Sequence, residues 1–260
     1  MKKYRFLSAW LLLLVLLSGH GRCWAETITL EEAINQAGRQ RMLTQRMVKA
    51  YAMIGQRVSI GRGYDQLDAA IALFDNQLQT LKTIAATPEE KASLNKVARL
   101  WRRFKRKLDG KPRKSEVASL DRLAEAVLTE ADHFVGLLEK RSSKHAGHLT
   151  NLSGRQRMLT QRMAKYYLFL SWGLDQPAYR QAFDEAVEQF QNSLNELQNS
   201  TENTARIGSE LDQVEQQWRL FGLSRLVGKN RYVPSLVVRS LDNILQRMDH
   251  ITSLYAKLDR

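Results

Sequence analysis

Cysteine occurs once in the 260 residues, at Cys23, so an intramolecular disulfide is excluded and thiol chemistry has a single candidate position. Four prolines and fourteen glycines are too few turn-formers for a chain of many short strands. Beyond residue 25, no apolar run approaches the roughly 20 residues that span a bilayer. There is no phosphate-cradling glycine loop, no nucleophile beside a base and no matched pair of catalytic carboxylates, so the sequence does not read as an enzyme and implies no cofactor. Acidic residues are also under-represented, 27 against 40 basic ones, for a net charge of +13. That excess points to an anionic partner, yet none of the nucleic-acid-binding motifs is present.

The first 25 residues have the layout of an export signal. Lys2, Lys3 and Arg5 form a basic start, Phe6 to Leu17 an apolar stretch, and Cys23-Trp24-Ala25 the small residues of a cleavage site before Glu26. The expectation is a periplasmic product; an uncleaved membrane anchor is the alternative. Loss of this segment would leave a cysteine-free chain of net charge +9.

What the chain does have is a duplication. The ten residues Gly38 to Met47, GRQRMLTQRM, recur unchanged at Gly154 to Met163, 116 positions later. Phe74 and Asn76 match Phe190 and Asn192 at the same offset. One position further on, Leu94, Val97, Trp101, Arg102 and Phe104 match Leu211, Val214, Trp218, Arg219 and Phe221, and Asp132-His133 and Lys140 match Asp249-His250 and Lys257. Each unit is domain-sized rather than a short solenoid repeat. Apolar residues recur at helical spacing almost throughout. The sequence therefore predicts an all-α protein of two tandem antiparallel four-helix bundles, residues 26–142 and 143–260, after the signal at 1–25. In the first unit the helices are expected near Leu30 to Arg57, Tyr64 to Ala86, Pro88 to Leu108 and Ser115 to Arg141. In the second, breaks are expected at Asp175-Gln176-Pro177 and Gly228-Lys229-Asn230. Between Lys140 and Asn151 only Gly147 interrupts, so the fourth helix is expected to run into the fifth as one long rod.

On a helical projection, Leu43, Met47, Ala50 and Ile54 form an ordinary apolar stripe. The opposite face carries Ile34, Gly38, Arg41, Gln45, Val48 and Ala52 in the alternating 4,3 rhythm of a coiled-coil seam. The second copy places Thr150, Gly154, Arg157, Gln161, Ala164 and Leu168 there. An arginine on such a seam needs an anionic partner, because an unpaired desolvated guanidinium costs several kcal/mol, and no Asp or Glu shares the seam. Parallel association of two identical chains would bring two copies of Arg41 together, and likewise two of Arg157. A small anion between them would convert repulsion into charge-assisted hydrogen bonds, with Gln45 or Gln161 donating from the next turn. That geometry gives a homodimer with two anion sites, lined by Gly38, Arg41, Gln45, Gly154, Arg157 and Gln161. A carboxylate from another helix of the bundle, which would make the motif structural, is the competing source of negative charge.

Asn35 to Met47 resembles the signature of the periplasmic PilJ-type sensory domain of type IV pilus methyl-accepting chemotaxis transducers. It is similar also to the P-box of nitrate-sensing histidine kinases, through the pattern G-x-x-R-M-x-[S/T]-x-R. The resemblance extends over both units. It implies a sensor of a nitrate- or nitrite-like anion, with the glycine and first arginine of the pattern, here Gly38, Arg41, Gly154 and Arg157, as the contacts. Gln45 and Gln161 stand where the kinases tend to carry an aromatic residue. With no transmembrane segment or signalling module after Arg260, the expected output is to a separate membrane signalling protein. The alternative is an adaptor without a small ligand that uses the seams to hold another protein in a pilus or chemosensory assembly.

Weaker signals remain. His145 and His148 are spaced for one helical face, but without a third ligand they do not argue for a metal. His133, His250, Trp101 and Trp218 read as packing residues. Arg99 to Lys114 is densely basic with Trp101 and Phe104 interleaved, which reads either as a docking patch for an anionic membrane surface or as a solvated helix end.

Overall fold

The computed structural model describes residues 28–142, 145–227 and 232–258. The expected signal segment, with Cys23, and the break at Gly228-Lys229-Asn230 lie outside the described residues. So does the side chain of His145.

Eight α-helices account for the described fold, and no strand occurs among the described residues. They are α1 (Leu30–Gln56), α2 (Ile60–Ile84), α3 (Pro88–Leu108), α4 (Val117–Arg141), α5 (His145–Ser171), α6 (Pro177–Gln198), α7 (Ala205–Val227) and α8 (Pro234–Tyr255). Local chemistry sets several ends. Thr29 caps α1 by accepting from the Glu32 amide at 3.1 Å, and Arg57 closes it in the left-handed region at φ 60°. Thr87 and Glu90 form a reciprocal capping box around Pro88 at the start of α3. The first-unit helices therefore fall close to the expected limits. A short 3₁₀ turn, Lys114–Glu116, replaces the first residues expected of α4.

The expected continuous rod is not formed. α4 stops at Arg141, and Ser142 takes an extended backbone (φ −76°, ψ 103°). A Cβ at Gly147 would lie only 2.7 Å from the Ser142 hydroxyl, so the glycine lets the chain fold back sharply instead of continuing straight. α5 lies along α1, and these two form the most extensive helix pair among the described residues. The pair is parallel and in register: Arg157 reaches Asn35 at one end, while the Gln56 amide donates to the Leu168 carbonyl at 3.0 Å at the other. α2 and α4 flank α1, α6 and α8 flank α5, and α3 and α7 close the outside against α4 and α8.

The two copies thus pack around a pseudo-twofold axis inside one chain. Every seam position expected to face a second molecule is buried between α1 and α5, from Ile34 to Ala52 and from Thr150 to Leu168. The homodimer expected across this seam is replaced by an internal pairing of the two repeats. Trp101 stacks on Phe74 at 4.2 Å and Trp218 lies tilted against Phe190 at 4.3 Å, and both tryptophans are buried core residues. No described helix is long and apolar enough to cross a membrane.

Candidate functional site

Glycine at seam positions allows the arginines to lie across the axis. A Cβ added at Gly38 would sit 3.2 Å from Arg41 Nη2 and 3.5 Å from Arg157 Nη2; one added at Gly154 would meet the same two atoms at 3.5 and 3.2 Å. The two guanidinium groups are therefore neighbours in the space that larger residues would close. Their exposures are 1% and 0%, so neither reaches bulk water.

Their negative partners come from the outer helices, not from the seam. Arg41 Nη1 donates to Asp132 of α4, and its Nη2 donates across the axis to Asn151 Oδ1 at 2.8 Å. Arg157 repeats the arrangement, Nη1 donating to Asp249 of α8 at 2.7 Å and to Asn35 Oδ1 at 2.8 Å, and Nη2 to the Asn35 carbonyl at 3.0 Å. The two carboxylates are about two-fifths exposed, which leaves each ion pair wet on its acidic side. Nε of both arginines is buried without an acceptor. Burial pulls Arg157 down to about 10; Asp249 opposes this, and Arg39 and Arg41 add repulsion. Arg41 is lowered too, by burial above all and by Arg155, against Asp132.

One turn further along, the glutamines serve the same carboxylate framework rather than the arginines. Gln45 Nε2 donates to Glu125 of α4 at 3.0 Å and Gln161 Nε2 to Asp242 of α8 at 3.1 Å, while both Oε1 atoms are buried and unpaired. After another turn come two fully buried lysines, and here the connections cross between copies. Lys49 of α1 donates to Asp242 of α8 at 2.6 Å. Lys165 of α5 donates to Asp121 and Glu125 of α4 at 2.6 and 2.8 Å. The arginines therefore bind the acidic helix of their own repeat, and the lysines bind that of the other, which interlocks the halves. Burial lowers Lys49 to about 8, since Asp242 alone faces it and Arg46 repels it. For Lys165 burial also pulls downward, but two carboxylates outweigh it and raise the group above its ordinary value.

The structure thus brings Gly38, Arg41, Gly154 and Arg157 into one cluster per chain, not two sites in a dimer, and sets Gln45 and Gln161 apart from it. A partner protein cannot use this seam in the described arrangement, because the seam is covered. Asn35, Asn151, Asp132 and Asp249 complete the cluster. Asp132 and Asp249 are repeat-matched in sequence, as are Asn35 and Asn151 and the two lysines, so the duplication itself carried the signal. The shared carboxylates Glu125 and Asp242 differ in type and had no such mark.

The secondary candidates resolve simply. His133 lies 3.4 Å from the Ser93 hydroxyl, His250 accepts from Arg206, and His148 bridges Glu139 and Glu196. Among the described residues no group of three or more potential ligands could hold a metal. In the basic stretch, Arg99, Arg102, Arg103 and Arg106 are exposed, but Trp101 and Phe104 are buried, so the interleaved aromatics are not part of an outer surface.

Among known families, the model described as "Type IV pili methyl-accepting chemotaxis transducer N-term", PilJ, matches residues 30–134 and again 140–221. Neither the curated proteins nor the solved structures include a match to the chain.

Proposed function

Because the chain belongs to the PilJ family of type IV pili methyl-accepting chemotaxis transducer N-terminal domains, in two tandem copies, we propose that it is a periplasmic sensor whose ligand site is the internal Arg41–Arg157 seam. One small oxyanion of the nitrate or nitrite kind would bind per chain, between Gly38 and Gly154. The observation that carries this reading is the juxtaposition of two buried guanidinium groups, each with an Nε donor lacking an acceptor. An anion there would accept from both arginines and cancel their mutual repulsion. The close packing around both Nη2 atoms means that entry requires α1 and α5 to separate or the guanidiniums to turn away from Asn35 and Asn151. Binding would thereby favour a second helix arrangement over the packed one. A separate membrane signalling protein would read that shift.

A structural reading draws on a different observation: each arginine already has a carboxylate, Asp132 or Asp249, so the cluster can be a clasp that holds the two repeats together and binds neither a small ligand nor a partner protein. The thermal midpoint of the purified protein against a panel of small anions at constant ionic strength separates the two. The sensor gives a rise with nitrate, nitrite or another single anion that is absent in Arg41→Leu/Arg157→Leu, by mass action on the folded state. Equal responses of the wild type and the variant to every anion would refute the sensor reading and leave the clasp.

A further inference from the structure

A second, wider site lies where α1, α2 and α8 meet. The cleft there has a volume of about 540 Å³, within the range of pockets that hold small molecules. Arg39 and Arg46 of α1, Arg62 of α2 and Arg239 of α8 converge on it, together with Asp242 and Asp249. By simple count the two carboxylates offset half of these charges, but their connections argue otherwise. Asp242 is engaged from behind by Lys49, and Asp249 by Arg157, both cations wholly buried. The acids therefore neutralise the interior, and only Arg39 shares one of them, at 2.7 Å from Asp249. The side chains of Arg46, Arg62 and Arg239 form no hydrogen bond or ion pair among the described residues, and Arg46 Nε is buried without an acceptor. Gln66, which also lines the cleft, donates to Asp242 at 2.8 Å and so holds that carboxylate in place.

The other half of the molecule lacks this constellation. The positions equivalent to Arg62 and Gln66 are Ala178 and Ala182, and Arg162, equivalent to Arg46, is paired with Glu125. Arg122, equivalent to Arg239, and Arg155, equivalent to Arg39, persist as exposed arginines. The duplicated halves have thus diverged so that one cleft keeps three guanidinium groups without counter-ions.

We propose that this cleft binds a small organic or inorganic polyanion bearing two or more phosphoryl or carboxylate groups. Guanidinium pairs with such groups through two parallel N–H bonds, and three separated arginines require more than one anionic centre. A singly charged anion of nitrate size could bridge at most part of this span. Since α1 and α2 come from one repeat and α8 from the other, the ligand would tie the halves together independently of the seam.

Inorganic pyrophosphate and citrate serve as probes, titrated calorimetrically into the purified protein at constant ionic strength; the two arms distinguish phosphoryl from carboxylate preference. At least one should bind with 1:1 stoichiometry. Arg62→Ala/Arg239→Ala, two exposed positions without partners, should weaken it about tenfold or more with an unchanged thermal midpoint in the absence of anion, whereas Arg122→Ala should leave the affinity unaltered. Arg62→Lys, which keeps the charge but not the fork, should fall between. The proposal fails if neither probe binds, or if Arg122→Ala costs as much as the double substitution, which would mark the interaction as a diffuse effect of net charge.

Discussion

Arg41 and Arg157 each lie over the other repeat's glycine as well as their own, so that a methyl group at either Gly38 or Gly154 would touch both guanidiniums at 3.2 to 3.5 Å. Gly38→Ala and Gly154→Ala should each gain about 1 kcal/mol of helix propensity and lose about 1–3 kcal/mol by overpacking, for a modest net destabilisation of similar size. A single methyl can push the arginine pair toward the opposite glycine. With both methyls present that escape is closed, so the double variant should cost more than the sum of the singles. Urea denaturation of the three variants measures this coupling, and simple additivity would contradict the shared packing.

Lys49 and Lys165 are equivalent in sequence but unequal in environment. Lys165→Met would strand Asp121 and Glu125 together without their buried cation, and should cost about 3–5 kcal/mol, as expected when one partner of a buried ion pair is removed. Lys49→Met leaves Asp242 with amide donors from Gln66 and Gln161 and relieves repulsion from Arg46. Its cost should be nearer 1–3 kcal/mol, the range for a buried polar group losing one partner. Denaturant midpoints of the two variants should therefore differ clearly, with Lys165→Met the lower.

The periodicity of α1 and α5 identified a polar seam that had to be covered, and the capping residues around Thr87 and Pro88 marked a helix start directly. Neither signal specifies which molecule supplies the cover. An in-register parallel pair of repeats presents the same contacts as a parallel homodimer, and only the sharp reversal at Ser142 selects the internal version. There Gly147 packs closely against Ser142 and Ile34, a tertiary fact with no strong local mark such as proline. For the same reason the arginines' partners were not legible: Asp132 lies 91 residues from Arg41, and its match with Asp249 shows that the position was kept without showing what it faces.

Glu125 is the shared carboxylate of three donors. Burial pushes its carboxyl upward, but Lys165 and Arg162, with hydrogen bonds from Lys165 and Gln45, outweigh this and hold it at about 2. A carboxyl whose folded value lies below its unfolded one contributes stability that is complete above the unfolded value, here about 4.3, and is lost as pH falls toward about 2. Between these limits the unfolded state binds more protons, so stability should fall with acidification. Glu125→Gln should flatten this part of the profile, seen as a smaller drop in thermal midpoint between pH 5 and pH 3, while wild type and variant keep the same slope above pH 6, where Glu125 is ionised in both states. A variant that keeps the wild-type acid slope would show that the group is not held down in this way.

The outer end of α3 offers a different kind of prediction. Arg99, Arg102, Arg103 and Arg106 are exposed and have no carboxylate partner among the described residues, whereas Lys105 and Lys107 are paired with Asp75 and Glu116. Trp101 is buried against Phe74, and its indole N–H donates to Asp75 at 2.7 Å. Any attraction of this patch to an anionic bilayer is then purely electrostatic, without the aromatic insertion that gives amphipathic helices their salt-resistant hold. Sedimentation with phosphatidylserine-containing vesicles should show binding at low ionic strength that disappears at about 0.5 M salt, where the screening length is only a few ångströms. Trp101 emission should not shift to the blue or become accessible to lipid-borne quenchers. Quenching of Trp101, established by its loss in Trp101→Phe, would mean that α3 rearranges on the membrane and that the aromatic residues leave the core.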